Sequence, residues 1–136
     1  MIDKKCISEE WINDVFKRLN IADKVLAEKV IQALMLLESL SESGLNYVFK
    51  GGTATMLRLG SIRRMSIDID IITEQENFEF TAILGKSLEK YGFTLFKEDP
   101  RKENPLSTIK KKHFKAYYKS AVCLRRDDEC YARCSL

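Results

Sequence analysis

The most informative segment of the chain is residues 48–72, VFKGGTATMLRLGSIRRMSIDIDII. It begins with a short β-prone run that ends at Gly51-Gly52, continues into helix-forming residues, and closes with isoleucines alternating with aspartates. Glycines directly after a strand let the backbone turn and expose its amides, and the helix that follows offers its N-terminus to an anion. We therefore expect Lys50 to be a counter-charge beside the turn, and Thr53 to cap the helix and present a hydroxyl to phosphate. The loop lacks the spacing and the Lys-Ser/Thr ending of a P-loop.

Asp68 and Asp70 take alternate positions of the second predicted strand. Residues i and i+2 of a strand project from the same face, about 7 Å apart, so the two carboxylates are close enough to share a divalent cation. Mg²⁺ often takes one or two protein carboxylates and fills its remaining positions with water and substrate phosphates. A Gly-Gly pair alone is more often an ordinary tight turn, and two aspartates at alternate strand positions alone are more often part of a solvated strand face. Together they favour a phosphate loop beside a metal-binding strand.

The rest of the chain predicts an α+β fold, a small mixed β-sheet flanked by helices, with two N-terminal helices. We expect the second helix to bury a stripe of Leu26, Val30, Ala33, Leu34, Leu37 and Leu40, widened by Met35 and Leu36. The predicted elements outside residues 48–72 are helices at 8–20, 23–42 and 75–91, a strand at 93–96, a loop at 99–105 and an extended segment at 107–122.

Three parts of the central segment carry a family resemblance: residues 48–54, VFKGGTA, residues 57–60, LRLG, and residues 64–70, RMSIDID. They resemble the nucleotidyltransferase-like AbiEii/AbiGii toxin family of the polymerase-β-like nucleotidyltransferase superfamily. The resemblance implies a nucleotidyltransferase core that transfers a nucleoside monophosphate from a nucleoside triphosphate to an RNA or protein acceptor. It also implies Mg²⁺ or Mn²⁺ as cofactor.

The resemblance assigns roles to individual positions. Asp68 and Asp70 are the implied catalytic and metal-binding acids. The implied nucleotide- and phosphate-binding residues are Lys50, Gly51, Gly52, Thr53, Arg64 and Ser66. Members of the family include toxins of toxin–antitoxin and abortive-infection systems. The implied partners are therefore the nucleoside triphosphate, a tRNA or protein acceptor, and a cognate antitoxin.

The chain departs from the family pattern after residue 122. The superfamily places a third acid on a later strand, and the acids available here are Asp127 and Asp128, or Glu98 and Asp99. Family members are usually longer, so we expect an incomplete nucleotidyltransferase-like domain at 1–122 and a Cys-rich tail at 123–136 outside the core. One alternative function follows, an inactive remnant that binds a nucleotide or a protein; another is a structural domain with no ligand.

Composition excludes several classes of protein. With 136 residues, 45% of them hydrophobic, and a net charge of +3, the chain is neither disordered nor strongly basic. No apolar stretch is long enough for a membrane span, and the start lacks a signal-peptide core, so we expect a cytoplasmic protein without a membrane partner.

A basic and aromatic segment lies near the end of the chain, before the Cys-rich tail, in which the spacing of Cys123, Cys130 and Cys134 matches no common zinc pattern. The segment allows contact with an RNA acceptor, but a solvated strand face is the favoured interpretation. For the single histidine, His113, a role outside catalysis is favoured. The residues in question are Lys110, Lys111, Lys112, His113, Phe114, Lys115, Tyr117, Tyr118 and Lys119.

Overall fold

The computed structural model describes residues 2–18, 23–60, 66–75, 79–100, 111–122 and 131–135. After a short 3₁₀ turn at Lys4–Ile7, its helices are α1 (Glu9–Arg18), α2 (Lys24–Glu42), α3 (Gly51–Leu59) and α4 (Phe80–Lys90). Its strands are β1 (Val48–Lys50), β2 (Asp70–Ile72), β3 (Phe93–Glu98), β4 (Phe114–Lys119) and β5 (Tyr131–Ser135). The predicted α+β class is confirmed.

The described strands form two small antiparallel sheets. β1 and β2 form a two-stranded ribbon, and β3, β4 and β5 form a three-stranded sheet in that order. Helix α3 joins the strands of the ribbon along the chain, while α4 leads into β3 and packs against it. The segment 48–72 thus forms the strand, helix and strand that its sequence predicts.

Helix α2 is the centre of the core, because α1, α4 and β5 all contact it. Its buried apolar side chains are Ala27, Ile31, Ala33, Met35, Leu36 and Leu40. The predicted stripe is therefore displaced around the helix, since Leu26, Val30, Leu34 and Leu37 are only half-buried. Burial on several sides removes the single apolar face that a sequence pattern can locate.

A buried acid ties α2 to the end of β4. Glu28 is 1% exposed, and its carboxylate accepts hydrogen bonds from the Ser120 hydroxyl and the Ala121 amide, both at 2.6 Å. Buried charges need such partners, because an unsatisfied carboxylate away from water is strongly destabilising. This contact fixes the strand that runs through the middle of the larger sheet.

Part of the segment expected to lie outside the core pairs with that sheet. The backbone of β5 pairs with β4 from Lys115↔Ser135 to Lys119↔Tyr131, although the sequence predicts no strand there. Residues 123–130 lie outside the described residues. The boundary at residue 122 stays a prediction, and the pairing of β5 argues against it.

Candidate active site

The β1–β2 ribbon has one inward and one outward face. Ile69 is 1% exposed and Ile71 is half-buried, whereas Asp68 and Asp70 are exposed on alternate positions. In the antiparallel register Lys50 is opposite Asp70, and Lys50 is also exposed. The predicted alternation is confirmed, and it places Asp68, Asp70 and Lys50 on a single exposed face (the acid face).

Helix α3 begins against the side chain of Asp70. Gly51, its first residue, has a φ of +80°, which favours glycine. A Cβ at Gly51 would overlap Asp70 Oδ2 and lie 3.0 Å from Asp70 Cγ. Gly51 therefore meets two requirements, a left-handed backbone and a close approach to a carboxylate.

The next two residues of α3 contact the segment that leads into β2. A Cβ at Gly52 would lie 3.0 Å from Ser66 Oγ, so any larger residue there would require the Ser66 side chain to shift. The Thr53 hydroxyl donates a 2.7 Å hydrogen bond to the carbonyl oxygen of Asp68. The start of α3 is thus held beside the backbone that carries both acids.

The expectation that Thr53 caps α3 is wrong. The N-cap is Lys50, which makes no side-chain capping bond, and Thr53 lies within the first turn. Thr53 is 0% exposed and its hydroxyl hydrogen is used by Asp68. The hydroxyl is therefore not available to a phosphate, and the exposed residues at the start of α3 are Gly51 and Gly52.

The charges at this point suit a divalent cation next to an anion. The amides at the start of α3 carry the positive end of the helix dipole, and the carboxylate of Asp70 lies directly against Gly51. A cation held by Asp68 and Asp70 would neutralise the acids and leave the helix N-terminus free for phosphate oxygens. The two carboxylates and the oxygen chemistry of Mg²⁺ fit this arrangement.

A third acid does not join these two within the part of the chain that the structure describes, where no group of three potential metal-binding side chains occurs. Glu98 and Asp99 lie at the end of β3, on the other sheet, and Asp99 forms a 2.6 Å ion pair with Lys115. Asp127 and Asp128 lie outside the described residues, as does Arg64. Ser66 is half-buried beside Gly52.

The aromatic residues of the basic segment divide between the two faces of β4. Phe114 and Tyr118 are buried, whereas Tyr117 is half-buried with Lys97 Nζ 5.3 Å from its ring centroid. Lys111, Lys112 and Lys119 are exposed. An RNA acceptor could therefore meet Tyr117 and the lysines, but not the two buried rings.

A family model confirms the resemblance carried by residues 48–72. The model described as nucleotidyl transferase AbiEii toxin, type IV toxin–antitoxin system, matches residues 34–128, more than half of the chain. The chain belongs to the AbiEii family. No match was found among curated proteins or among solved structures. As an AbiEii member, the chain is a nucleotidyltransferase-like toxin of a type IV toxin–antitoxin system. The helices of the described residues include none that is long and apolar enough to cross a membrane.

Two apolar residues next to the acid face are exposed, which the sequence reasoning did not predict. Val48 and Ile72 are 64% and 55% exposed and lie opposite each other in the register. The two-residue period of a strand could have predicted this exposure, because Ile72 has the same parity as Asp70, and Val48 the same parity as Lys50.

Proposed function

We propose that this AbiEii protein is a metal-dependent nucleotidyltransferase that moves a nucleoside monophosphate from a nucleoside triphosphate to an RNA or protein acceptor. One observation carries the proposal: α3 begins at a single point beside both acids, where the Asp70 carboxylate lies against Gly51 and the Thr53 hydroxyl bonds to the backbone carbonyl of Asp68. Phosphoryl-type transfer depends mostly on position and charge, which such a point supplies.

Each residue then has a role of its own. Asp68 and Asp70 would hold Mg²⁺ or Mn²⁺, which when bound supplies Lewis-acid activation of phosphate oxygens. The amides of the exposed Gly51 and Gly52 would bind the triphosphate, and the buried Thr53 would hold the backbone of Asp68 beside them. Lys50, opposite Asp70, adds a positive charge to the acid face, as the family pattern also expects of Arg64. Ser66 positions Gly52.

A cognate antitoxin and a cytoplasmic location belong to the same proposal. The type IV toxin–antitoxin family of the chain supports the first. The substrate supports the second, since nucleoside triphosphates and tRNA are cytoplasmic. The choice of RNA or protein as acceptor rests on the resemblance to the AbiEii family.

The alternative is a module that binds a nucleotide without transferring it. It is favoured by one observation: within the described residues, no third acid accompanies Asp68 and Asp70. Metal-dependent binding needs only the acid face and the start of α3. Transfer also needs a group that activates the acceptor, and Asp99 is held by Lys115 on the other sheet.

The test is Mg²⁺-dependent binding of a nucleoside triphosphate, followed by incorporation of labelled nucleotide into RNA and protein. We expect Asp68→Asn and Asp70→Asn, which keep the shape of the side chain, to reduce transfer by about a hundredfold or more. Asp14→Asn is the control, because Asp14 is an exposed acid on α1 that pairs with Arg18. Binding without transfer in the unaltered protein supports the alternative. Transfer that survives both substitutions contradicts the proposed site.

A further inference from the structure

The acid face also carries an apolar pair, Val48 and Ile72. Their side chains are 64% and 55% exposed and face each other across the ribbon. Directly opposed residues of antiparallel strands have Cβ atoms about 4.5–5.5 Å apart, so the two side chains form one continuous apolar patch.

The core of the protein does not need this pair. Phe49 and Ile71, the neighbours of opposite parity, already pack against the core. Single exposed aliphatic residues are common and need no explanation. What distinguishes Val48 and Ile72 is their position in line with the charged groups of the site.

Val48 and Ile72 form the opposed pair next to Lys50 and Asp70 on the same face of the ribbon. Lys50 and Asp70 are opposed, and the next pair on the same face is Val48 and Ile72. Residues of one face are about 7 Å apart along a strand. A triphosphate bound at the start of α3, beside Lys50 and Asp70, therefore has an apolar surface within reach of its nucleoside.

We propose that Val48 and Ile72 form the nucleoside subsite of this protein, an aliphatic platform for the ribose and the flat face of the base. The proposal rests on the proposed function, since it needs phosphates anchored at α3. The two side chains present no hydrogen-bonding group, so the platform selects by contact area and binds purines more tightly than pyrimidines.

The neighbouring charges favour a nucleotide over a protein surface. Asp68, Asp70 and Lys50 lie on the same face as the apolar pair. A protein that covered Val48 and Ile72 would also have to desolvate these charges, and charged residues are depleted from the centres of protein interfaces. A metal-bound triphosphate would instead interact favourably with these charged side chains, and its nucleoside would cover the apolar pair.

The experiment compares two probes in the presence of Mg²⁺, ATP and inorganic tripolyphosphate, by calorimetry. The unaltered protein should bind ATP more tightly than tripolyphosphate. Val48→Thr and Ile72→Thr keep the β-branched shape suited to a strand. Each should weaken ATP binding by about tenfold and leave tripolyphosphate binding unchanged.

Leu95→Thr is the matched control, because Leu95 is a 50% exposed aliphatic residue on a strand of the other sheet. It should change neither affinity. Ile72→Val, a smaller alteration, should give a smaller loss of ATP affinity in the same direction, and it replaces Ile72→Thr if that variant does not fold. UTP should bind more weakly than ATP, and the difference should shrink in the threonine variants.

The outcomes separate the two proposals. If tripolyphosphate binds but ATP binds no more tightly, or if the threonine variants bind ATP normally, the subsite is overturned and the proposed function stands. Equal weakening of both probes also overturns the subsite, because it indicates distortion of the ribbon. If neither probe binds with Mg²⁺, both proposals fail. A changed oligomeric state of Val48→Thr on gel filtration would make the pair an interface between copies of the chain, and would overturn the subsite.

Discussion

At Gly51 the backbone has a φ of +80°, and the Asp70 carboxylate takes the space that a side chain would fill. Two effects therefore penalise any other residue there. A left-handed backbone costs a non-glycine residue roughly 1–2 kcal/mol. In addition, an added methyl group would push the carboxylate of Asp70 away from the start of α3.

We predict that Gly51→Ala lowers Mg²⁺ affinity by about tenfold or more, because it displaces a metal-binding side chain. Gly44→Ala is the control: Gly44 has a nearly equal φ of +78° but nothing within 4 Å of its added Cβ. Both variants should lose stability in urea unfolding, Gly51→Ala by more because of the overlap with Asp70, and only Gly51→Ala should lose metal affinity in a Mg²⁺ titration. Equal Mg²⁺ affinity in the two variants would contradict the role of the contact.

The same residues show how far sequence reasoning reaches. The parity of Asp68 and Asp70 could be predicted, because a strand alternates its side chains whatever surrounds it. The hydroxyl of Thr53 could not be placed, because it bonds to a carbonyl oxygen fifteen residues away, and that partner depends on how α3 packs on the ribbon. The residue type and the position of Thr53 predicted an N-cap, but in the folded protein its hydroxyl donates to the carbonyl oxygen of Asp68.

The hydrogen bonds of Glu28 connect helix α2 to the end of strand β4. The acid lies on α2, and its two donors lie just beyond the strand. Glu28 is 1% exposed. A buried carboxylate of this kind couples the helix at the centre of the core to the middle strand of the larger sheet.

Glu28→Gln should therefore lower the free energy of unfolding by about 1.5–3 kcal/mol, because its hydrogen bonds are to a charged group. Ser120→Ala should cost less, since Ala121 remains a donor to the carboxylate. A double-mutant cycle in urea unfolding should give a coupling energy of about 0.5 kcal/mol or more between the two side chains. Additive effects would mean that Glu28 acts independently of Ser120. Glu89→Gln, at an exposed acid on α4, is the control and should have little effect.

Elements that depend on long-range pairing are also where sequence reasoning was incomplete. Helices α1 and α2 were predicted to within a few residues, because caps and apolar spacing are local signals. The buried side of α2 was displaced, because three neighbouring elements surround that helix. Strand β5 was not predicted, since its pairing with β4 rather than any alternation of its own places it in the sheet.

The domain boundary expected at residue 122 concerns the chain as a whole. The sequence predicts an incomplete domain at 1–122 and a tail outside its core, whereas β5 completes the three-stranded sheet and contacts α2. Without β5, one edge of β4 loses its backbone partners, and unpaired edges are sites of aggregation.

We predict that a chain ending at residue 122 unfolds at a midpoint lower by about 5 °C or more, because it loses the ladder between β4 and β5. A second chain, with residues 131–135 replaced by Gly-Ser-Gly-Ser-Gly, keeps the length and should lose a similar amount. Thermal unfolding followed by circular dichroism measures both. An unchanged midpoint in both chains would establish residue 122 as the domain boundary.

The position of the Asp70 carboxylate, against the first residue of α3, also bears on the order in which ligands arrive. Under the proposed function, a phosphate that arrives alone meets this negative charge at the helix terminus, and a cation that arrives alone gains no phosphate ligand. Each should therefore raise the affinity of the other, and by the same factor, because coupling between two ligands is reciprocal. The protein would then bind the metal and the nucleotide together, as one complex, in preference to either alone. Its activity would track the concentration of that complex, and free nucleotide in a cell short of magnesium would leave it idle.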